Sequence, residues 1–284
     1  MRPDGRGDID AAFNLTTEQL ASLQGDANIR IEKTISLDYV YMVLTNSAEL
    51  NPALAKREAR QAIAHAIDYD GIIAGLVGGF AVRPANFLPI GAGGSSEADT
   101  RDFGFRQDLD KSRAFLREAG LPNGFEFDLS ITNAAIVGTN YQVVAQKVQS
   151  DLARVGIKAN LKPVDPINHR AQYNGGKSQA VITFWNPPSP ETYLWATASI
   201  ERVATRIHWN VPKEMRDLVK AAGSEPDQQK QIALYRQYQK DLCTNGHYII
   251  MIQPIYRYAV RNTVKDFQLT AAGWQFEMER VQPT

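Results

Sequence analysis

An α/β layer fold is what this sequence predicts, on three observations. Helical and strand-like runs alternate with short joints from Asp108 to Trp185. Gly120 and Gly156 each close an apolar-periodic run and hand over to an alternating one, the pattern of a helix C-terminus followed by a strand. The apolar runs Tyr39–Leu44 and Ala180–Trp185 suit strands buried on both faces, as in a sheet covered by helices.

The elements follow in order. Residues 16–19 (Thr-Thr-Glu-Gln) begin a capped helix, with Leu20 and Leu23 facing inward and Gly25 ending it. Residues 29–35 alternate as a strand, and the buried strand 39–44 comes next. Asn51-Pro52 opens a helix, since asparagine caps and proline tolerates the first helical position. Its apolar stripe is Ala59, Ala62, Ile63, Ala66 and Ile67. Asp70-Gly71 opens another helix, through Ile72, Ile73, Leu76 and Val77, stopped by Gly78-Gly79. Residues 81–106, rich in Gly, Pro and Ser, form a long irregular connection. Their Gly91-Ala-Gly-Gly94 is not a phosphate loop, because no Lys-Ser/Thr pair follows and no helix opens there.

Asp110 and Gly120 then bracket a helix, and 125–131 is a strand. Tyr141, Val144, Val148 and Leu152 make the inward stripe of the next helix, which Gly156 ends before the strand 157–162. A third helix precedes the strand 180–185. Met215, Leu218 and Val219 mark one late helix, and Ile232, Leu234, Tyr235, Tyr238 and Leu242 another, separated by 223–226. Residues 248–252 are a buried strand, broken by Gln253-Pro254.

Composition narrows the function. The 284 residues are 44% hydrophobic and 22% charged, long enough and apolar enough for a sizeable core. Lys+Arg and Asp+Glu balance at 31 each, so nothing marks a nucleic-acid partner. The single Cys243 excludes an internal disulfide and suits an inert buried thiol. Four histidines, His65, His169, His208 and His247, lack ligand spacing, and no metal or cofactor is expected. No Gly-x-Ser-x-Gly, His-Glu-x-x-His or Cys-x-x-Cys occurs, so a non-enzyme is expected. No run approaches the roughly 20 apolar residues of a membrane span.

Several phrases taken together carry a family likeness. They are Tyr41-Met-Val-Leu-Thr-Asn46, the run from Arg60 to Asp68, the helix exits at Gly120 and Gly156, Leu234-Tyr-Arg-Gln-Tyr-Gln239 and Ile252-Gln-Pro254. Their order and spacing resemble the family 5 extracellular solute-binding proteins, the peptide- and nickel-type receptors of bacterial ABC importers. The resemblance implies a periplasmic binding protein type II-like α/β fold of two lobes enclosing a ligand, in a full chain roughly twice as long. Residues 1–45 would belong to the large lobe with its crossing strand, 46–254 to the mobile lobe, and 255–284 to the return into the large lobe. It further implies a periplasmic or lipid-anchored extracellular location, ABC permease and ATPase subunits as partners, and a missing N-terminal part of the same protein. Residues 1–8 have no apolar signal core, which fits the expectation of a truncated piece. The alternative is a periplasmic hydrolase or a ligand-sensing subunit on the same fold.

The resemblance also places the candidate site at the end of the strand 180–185. Trp185 would be the aromatic floor, with a core residue at a sheet end as the alternative. Phe184 adjoins it, Asn186 and Ser189 would hydrogen-bond the ligand, and Glu191 is the anion left nearby. Arg206 would hold a ligand carboxylate or phosphate, or pair with Glu201. Asn133 and Tyr41 lie where strand ends and the crossing strand meet the cleft. In the family an acid in the turn after the tryptophan often holds a peptide's ammonium. Here the turn is Asn186-Pro-Pro-Ser189. An unpaired buried ammonium costs several kcal/mol, so a neutral polar, sugar- or opine-like ligand is expected in preference to a peptide.

Overall fold

The computed structural model describes residues 9–13, 15, 17–136, 139–186, 191–267, 269–270 and 282–283. In chain order the first elements are β1 (Ala11–Ala12), α1 (Thr17–Leu23), β2 (Ile29–Ile35), β3 (Tyr39–Leu44), α2 (Arg57–Ala66), α3 (Tyr69–Leu76), β4 (Ala81–Val82), α4 (Glu97–Phe103) and α5 (Leu109–Glu118). Next come β5 (Glu126–Thr132), β6 (Ala135–Ile136), β7 (Thr139–Asn140), α6 (Tyr141–Ala153), β8 (Lys158–Val164), α7 (Pro166–Asn174) and β9 (Ala180–Trp185). The last are α8 (Thr192–Ala198), a π-helical turn (Ser199–Val203), α9 (Ala204–Arg206), α10 (Lys213–Ser224), α11 (Gln228–Asn245), β10 (Tyr248–Arg261), β11 (Val264–Lys265) and β12 (Gln282–Pro283).

One mixed sheet organises the chain, in the order β1-β10-β3-β9-β5-β8. Strands β5 and β8 run parallel, joined through α6, and β5 also runs parallel to β9. Strand β3 is antiparallel to both β9 and β10. The start of the parallel pair depends on glycine. A Cβ at Gly124 would lie 1.9 Å from the Gly156 carbonyl oxygen, and both glycines have positive φ, +83° and +82°. No other residue fits that approach.

Strand periodicity divides the interior in two. Tyr39, Tyr41, Val43, Val181 and Trp185 enter an aromatic core with Phe87, Tyr173, Trp195, Tyr235, Tyr238 and Tyr248. Val40, Met42, Leu44, Ala180, Ile182, Leu129 and Ile131 enter an aliphatic core built against α2, α3, α5 and α6. Both faces of β3 are therefore covered, as its unbroken apolar sequence predicts. A third, smaller cluster of Tyr258, Val260, Val264, Phe267 and Leu269 packs near β1.

Several boundaries move. Asn51 caps a turn instead of a helix: its Oδ1 accepts from the N–H groups of Ala53 and Leu54, and α2 begins at Arg57. The caps of α3 and α5 are Asp68 and Asp108, which accept from Gly71 N–H and Lys111 N–H; the expected Asp70 and Asp110 lie inside those helices. The connection 81–106 holds α4, capped by Ser96. Pro254 does not break its strand. It sits in β10 where the partner changes, from β3 over residues 248–252 to β2 over 255–261. Proline is tolerated at such a break because its missing N–H falls where the ladder is already interrupted. Cys243 is buried, and burial pushes its thiol up to about 12, the inert state expected of it.

Candidate functional site

The end of β9, the start of β3 and the partner change in β10 meet at one place. Tyr39 pairs with Trp185 in the β3–β9 register, so Asp38 and Asn186 follow as neighbours. Asn186 Nδ2 donates to Asp38 Oδ1 at 2.8 Å. The hydroxyl of Tyr256 on β10 donates to Asp38 Oδ2. Gln253, fully buried, ties the same crossing: its Nε2 donates to the carbonyls of Ser36 and Ile90, and its Oε1 accepts from Ile90 N–H.

Asp38 is 4% exposed, and burial pushes its carboxyl up against the opposing hydrogen bonds from Tyr256 and Asn186. Tyr141, the first residue of α6, is also pushed up, by burial first and then by the Asp38 charge. The other two buried acids among the described residues have cations. Asp99 (2% exposed) pairs with Arg236, and Asp151 (3% exposed) with Lys147 at 2.6 Å. Among the described residues no lysine or arginine reaches Asp38 within ion-pair distance.

The expected site residues separate. Trp185 is 6% exposed. Phe87 lies 5.3 Å from it and the Arg202 guanidinium 4.8 Å over its ring. Its face is thus already covered, and its Nε1 has no hydrogen-bond partner among the described residues. Phe184, on the opposite sheet face, is 49% exposed and is the open aromatic ring there. Asn186 is exposed and turned toward Asp38. Asn133 is exposed just past β5, and Glu191 is exposed at the residue before α8. Ser189 lies outside the described residues.

Tyr41 and Arg206 form a second group, inside the aromatic core. Tyr41 is fully buried and its hydroxyl meets that of Tyr173 at 2.9 Å. Arg206 stacks over the Tyr173 ring at 4.9 Å, and no ion pair with Glu201 forms among the described residues. Burial pushes the Tyr41 hydroxyl well up, against the nearby Arg206 charge. Ser130 Oγ and Thr132 Oγ1 of β5 and His169 Nε2 are buried and unpartnered among the described residues. Such atoms are uncommon in a closed core. No group of three potential metal-binding side chains occurs among the described residues.

The residue most worth adding is Asp38. Its local sequence signal is only an acid before an apolar strand. Its hydrogen bond from Tyr256 joins residues 218 apart in the chain, which no local pattern records. Arg202 was hidden for the same reason, because its stacking on Trp185 depends on the π-helical turn.

The family model for bacterial extracellular solute-binding proteins, family 5 Middle, matches residues 5–202. The dipeptide-binding protein of Escherichia coli (strain K12) is 26% identical over 260 residues, 89% of this chain and 47% of its own. The chain spans about half the length of the curated relatives it matches. A structure of HbpA2 from Haemophilus parasuis superposes with a TM-score of 0.83 at 21% identity, covering 98% of this chain and 54% of that one. The dipeptide binding protein from Pseudoalteromonas sp. SM9913, in complex with Met-Leu, superposes at 0.78 with 18% identity and covers 98% and 54%. The α/β fold is that of these binding proteins.

These names correct the expected neutral, sugar- or opine-like partner, since relatives of this chain are named for dipeptides. That expectation rests on the turn Asn186-Pro-Pro-Ser189, which has no acid, with Glu191 as the anion left nearby. Asp38 brings a carboxylate to within hydrogen-bonding distance of Asn186, the first residue of that turn. The chain belongs to the bacterial extracellular solute-binding proteins of family 5.

Proposed function

We propose, from that membership, that this chain is the ligand-closing portion of a peptide-type solute-binding protein serving an ABC importer. It takes a short peptide between two lobes and presents it to a permease, with no bond made or broken. The relatives named above are binding proteins, which supports a non-catalytic role. Their family supports a periplasmic setting, and no described helix is long and apolar enough to cross a membrane.

One observation carries the reading. Strand β10 runs unbroken for 14 residues but changes partner at Gln253–Ile255, beside the exit from β2 at 36–38. Two continuous segments crossing at a common point make a hinge that lets lobes rotate as rigid bodies. A division at 36–38 and 253–255 suits this geometry better than one after residue 45, because β3 contributes to both cores alongside β9. Closure is favoured to the extent that a ligand touches both lobes. The ligand-facing residues on this side would be Asn186, Phe184 and Asn133, which are exposed at the strand ends.

The test is a thermal-shift screen of the full-length protein with di- and tripeptide mixtures. A peptide at a hundred times its Kd stabilises by about 2.7 kcal/mol, a shift of a few degrees. Flat melting curves across the peptide set would reject the reading.

A further inference from the structure

We propose that Asp38 anchors a cationic group of the ligand, a primary ammonium in particular, at the hinge. The proposal rests on the peptide reading above and names the residue that would make the site selective for a free amino terminus. Three observations lead to it. Asp38 is the one buried acid among the described residues that lacks a cation, whereas Asp99 and Asp151 have Arg236 and Lys147. A buried carboxylate without a counter-charge is strongly unfavourable, and both of its neighbours here, Tyr256 and Asn186, are neutral donors. The same environment pushes its carboxyl up, as expected of a charge waiting for compensation.

Location is the second part. Asp38 sits where the chain crosses between sheet segments, so an ammonium bound there would touch the hinge itself. Asn186, exposed, and Phe184, half-exposed, stand on the same edge. Oδ1 accepts one hydrogen bond, from Asn186, and a carboxylate oxygen has room for a second. An ammonium offers three donors on a compact charge, whereas an acetylated amine offers one neutral donor and none of the charge.

The experiment titrates full-length protein, by calorimetry, with a mixture of the dipeptides of Ala, Leu, Met and Phe, and with the same mixture N-acetylated. The parent should bind the free-amino set roughly tenfold or more tightly, the scale of one charge-assisted hydrogen bond. Asp38→Asn keeps the shape and removes the charge. Asn186→Lys, at an exposed position, supplies an internal cation and holds the carboxylate if Asp38→Asn does not fold. Either folded variant should bring the two sets to within about threefold of each other, whatever its absolute affinity for either. Retention of the free-amino preference in a folded variant overturns the anchor, because a merely structural Asp38 would not distinguish the two sets. A parent that binds both sets equally also overturns it, and leaves the peptide reading standing. A parent that binds neither overturns the peptide reading and the anchor with it.

Discussion

The two faces of the central sheet do different work. Below it, Val40, Met42, Leu44, Leu129, Ile131 and Ile182 meet helices through aliphatic contacts. Among the helices on that side Asp151 is paired with Lys147, which also reaches Asp68. Above it, Tyr39, Tyr41, Trp185 and Tyr173 pack as rings. There the guanidinium groups of Arg202 and Arg206 rest on aromatic faces, and Ser130, Thr132, His169 and Trp185 leave polar atoms unpartnered among the described residues. Each fully buried aliphatic side chain on the first face contributes roughly 1.5–3 kcal/mol. An unpaired buried polar atom on the second subtracts about 1–3 kcal/mol. The aliphatic face stabilises the fold, and the aromatic face gives up part of that stability; by strand alternation Asp38, Phe184 and Asn186 lie at the end of the aliphatic face, opposite Trp185. Features that break local rules of consistency tend to mark function.

The largest expected effect tests the closed side. Lys147→Met leaves Asp151 buried without its cation and removes a partner of Asp68. Breaking a buried pair in this way costs about 3–5 kcal/mol, to be read by urea unfolding at pH 7. Peptide affinity of the folded fraction should not change. Leu129→Ala comes next, with a loss of about 2–5 kcal/mol from the emptied volume and again no change in affinity. If either substitution weakened ligand binding more than stability, the division between the faces would fail.

On the aromatic face the expectation reverses. Trp185→Phe keeps a ring against Phe87, removes an indole N–H that has no partner among the described residues, and weakens the Arg202 contact by about 0.5–1 kcal/mol. Stability should therefore change by less than about 1 kcal/mol. A loss above about 3 kcal/mol, the range for a well-packed core ring, would make Trp185 an ordinary core residue and shrink the contrast.

Much of the fold was legible because it rests on local rules. The glycine pair at 124 and 156, the capped and periodic helices, and the apolar runs of β3 and β9 each state their structure within a few residues. What was not legible depends on long-range registration. Pro254 looked like a strand end, and only the change of partner from β3 to β2 explains why the strand continues. The site was less legible still. Sequence pointed to Trp185 and the turn beyond it, but which face of an aromatic is free depends on Phe87 and Arg202, from distant segments. Local spacing reports only on the turn, whereas Asp38 becomes a buried neighbour of Asn186 through the β3–β9 register.

The smallest expected effect separates two carboxylates by sign. Asp68 is held below the usual carboxylate range, first by the Gly71 N–H and then by Lys147. Its stabilising contribution is present above its unfolded value and fades as pH falls through its lowered folded value. Asp38 is pushed up by burial, with only Tyr256 and Asn186 donating to it and Tyr141 nearby. Its ionised form destabilises the unliganded fold, fully so above its raised folded value, and that penalty is relieved as pH falls through it toward the unfolded one. Comparing the parent with Asp38→Asn cancels Asp68 and every other common group. The parent's stability relative to the variant should therefore rise as pH is lowered from 7 through the range where Asp38 takes up its proton. A difference that instead falls with pH would mean that Asp38 is stabilised as a carboxylate, with a counter-charge already in place and no call for one from a ligand.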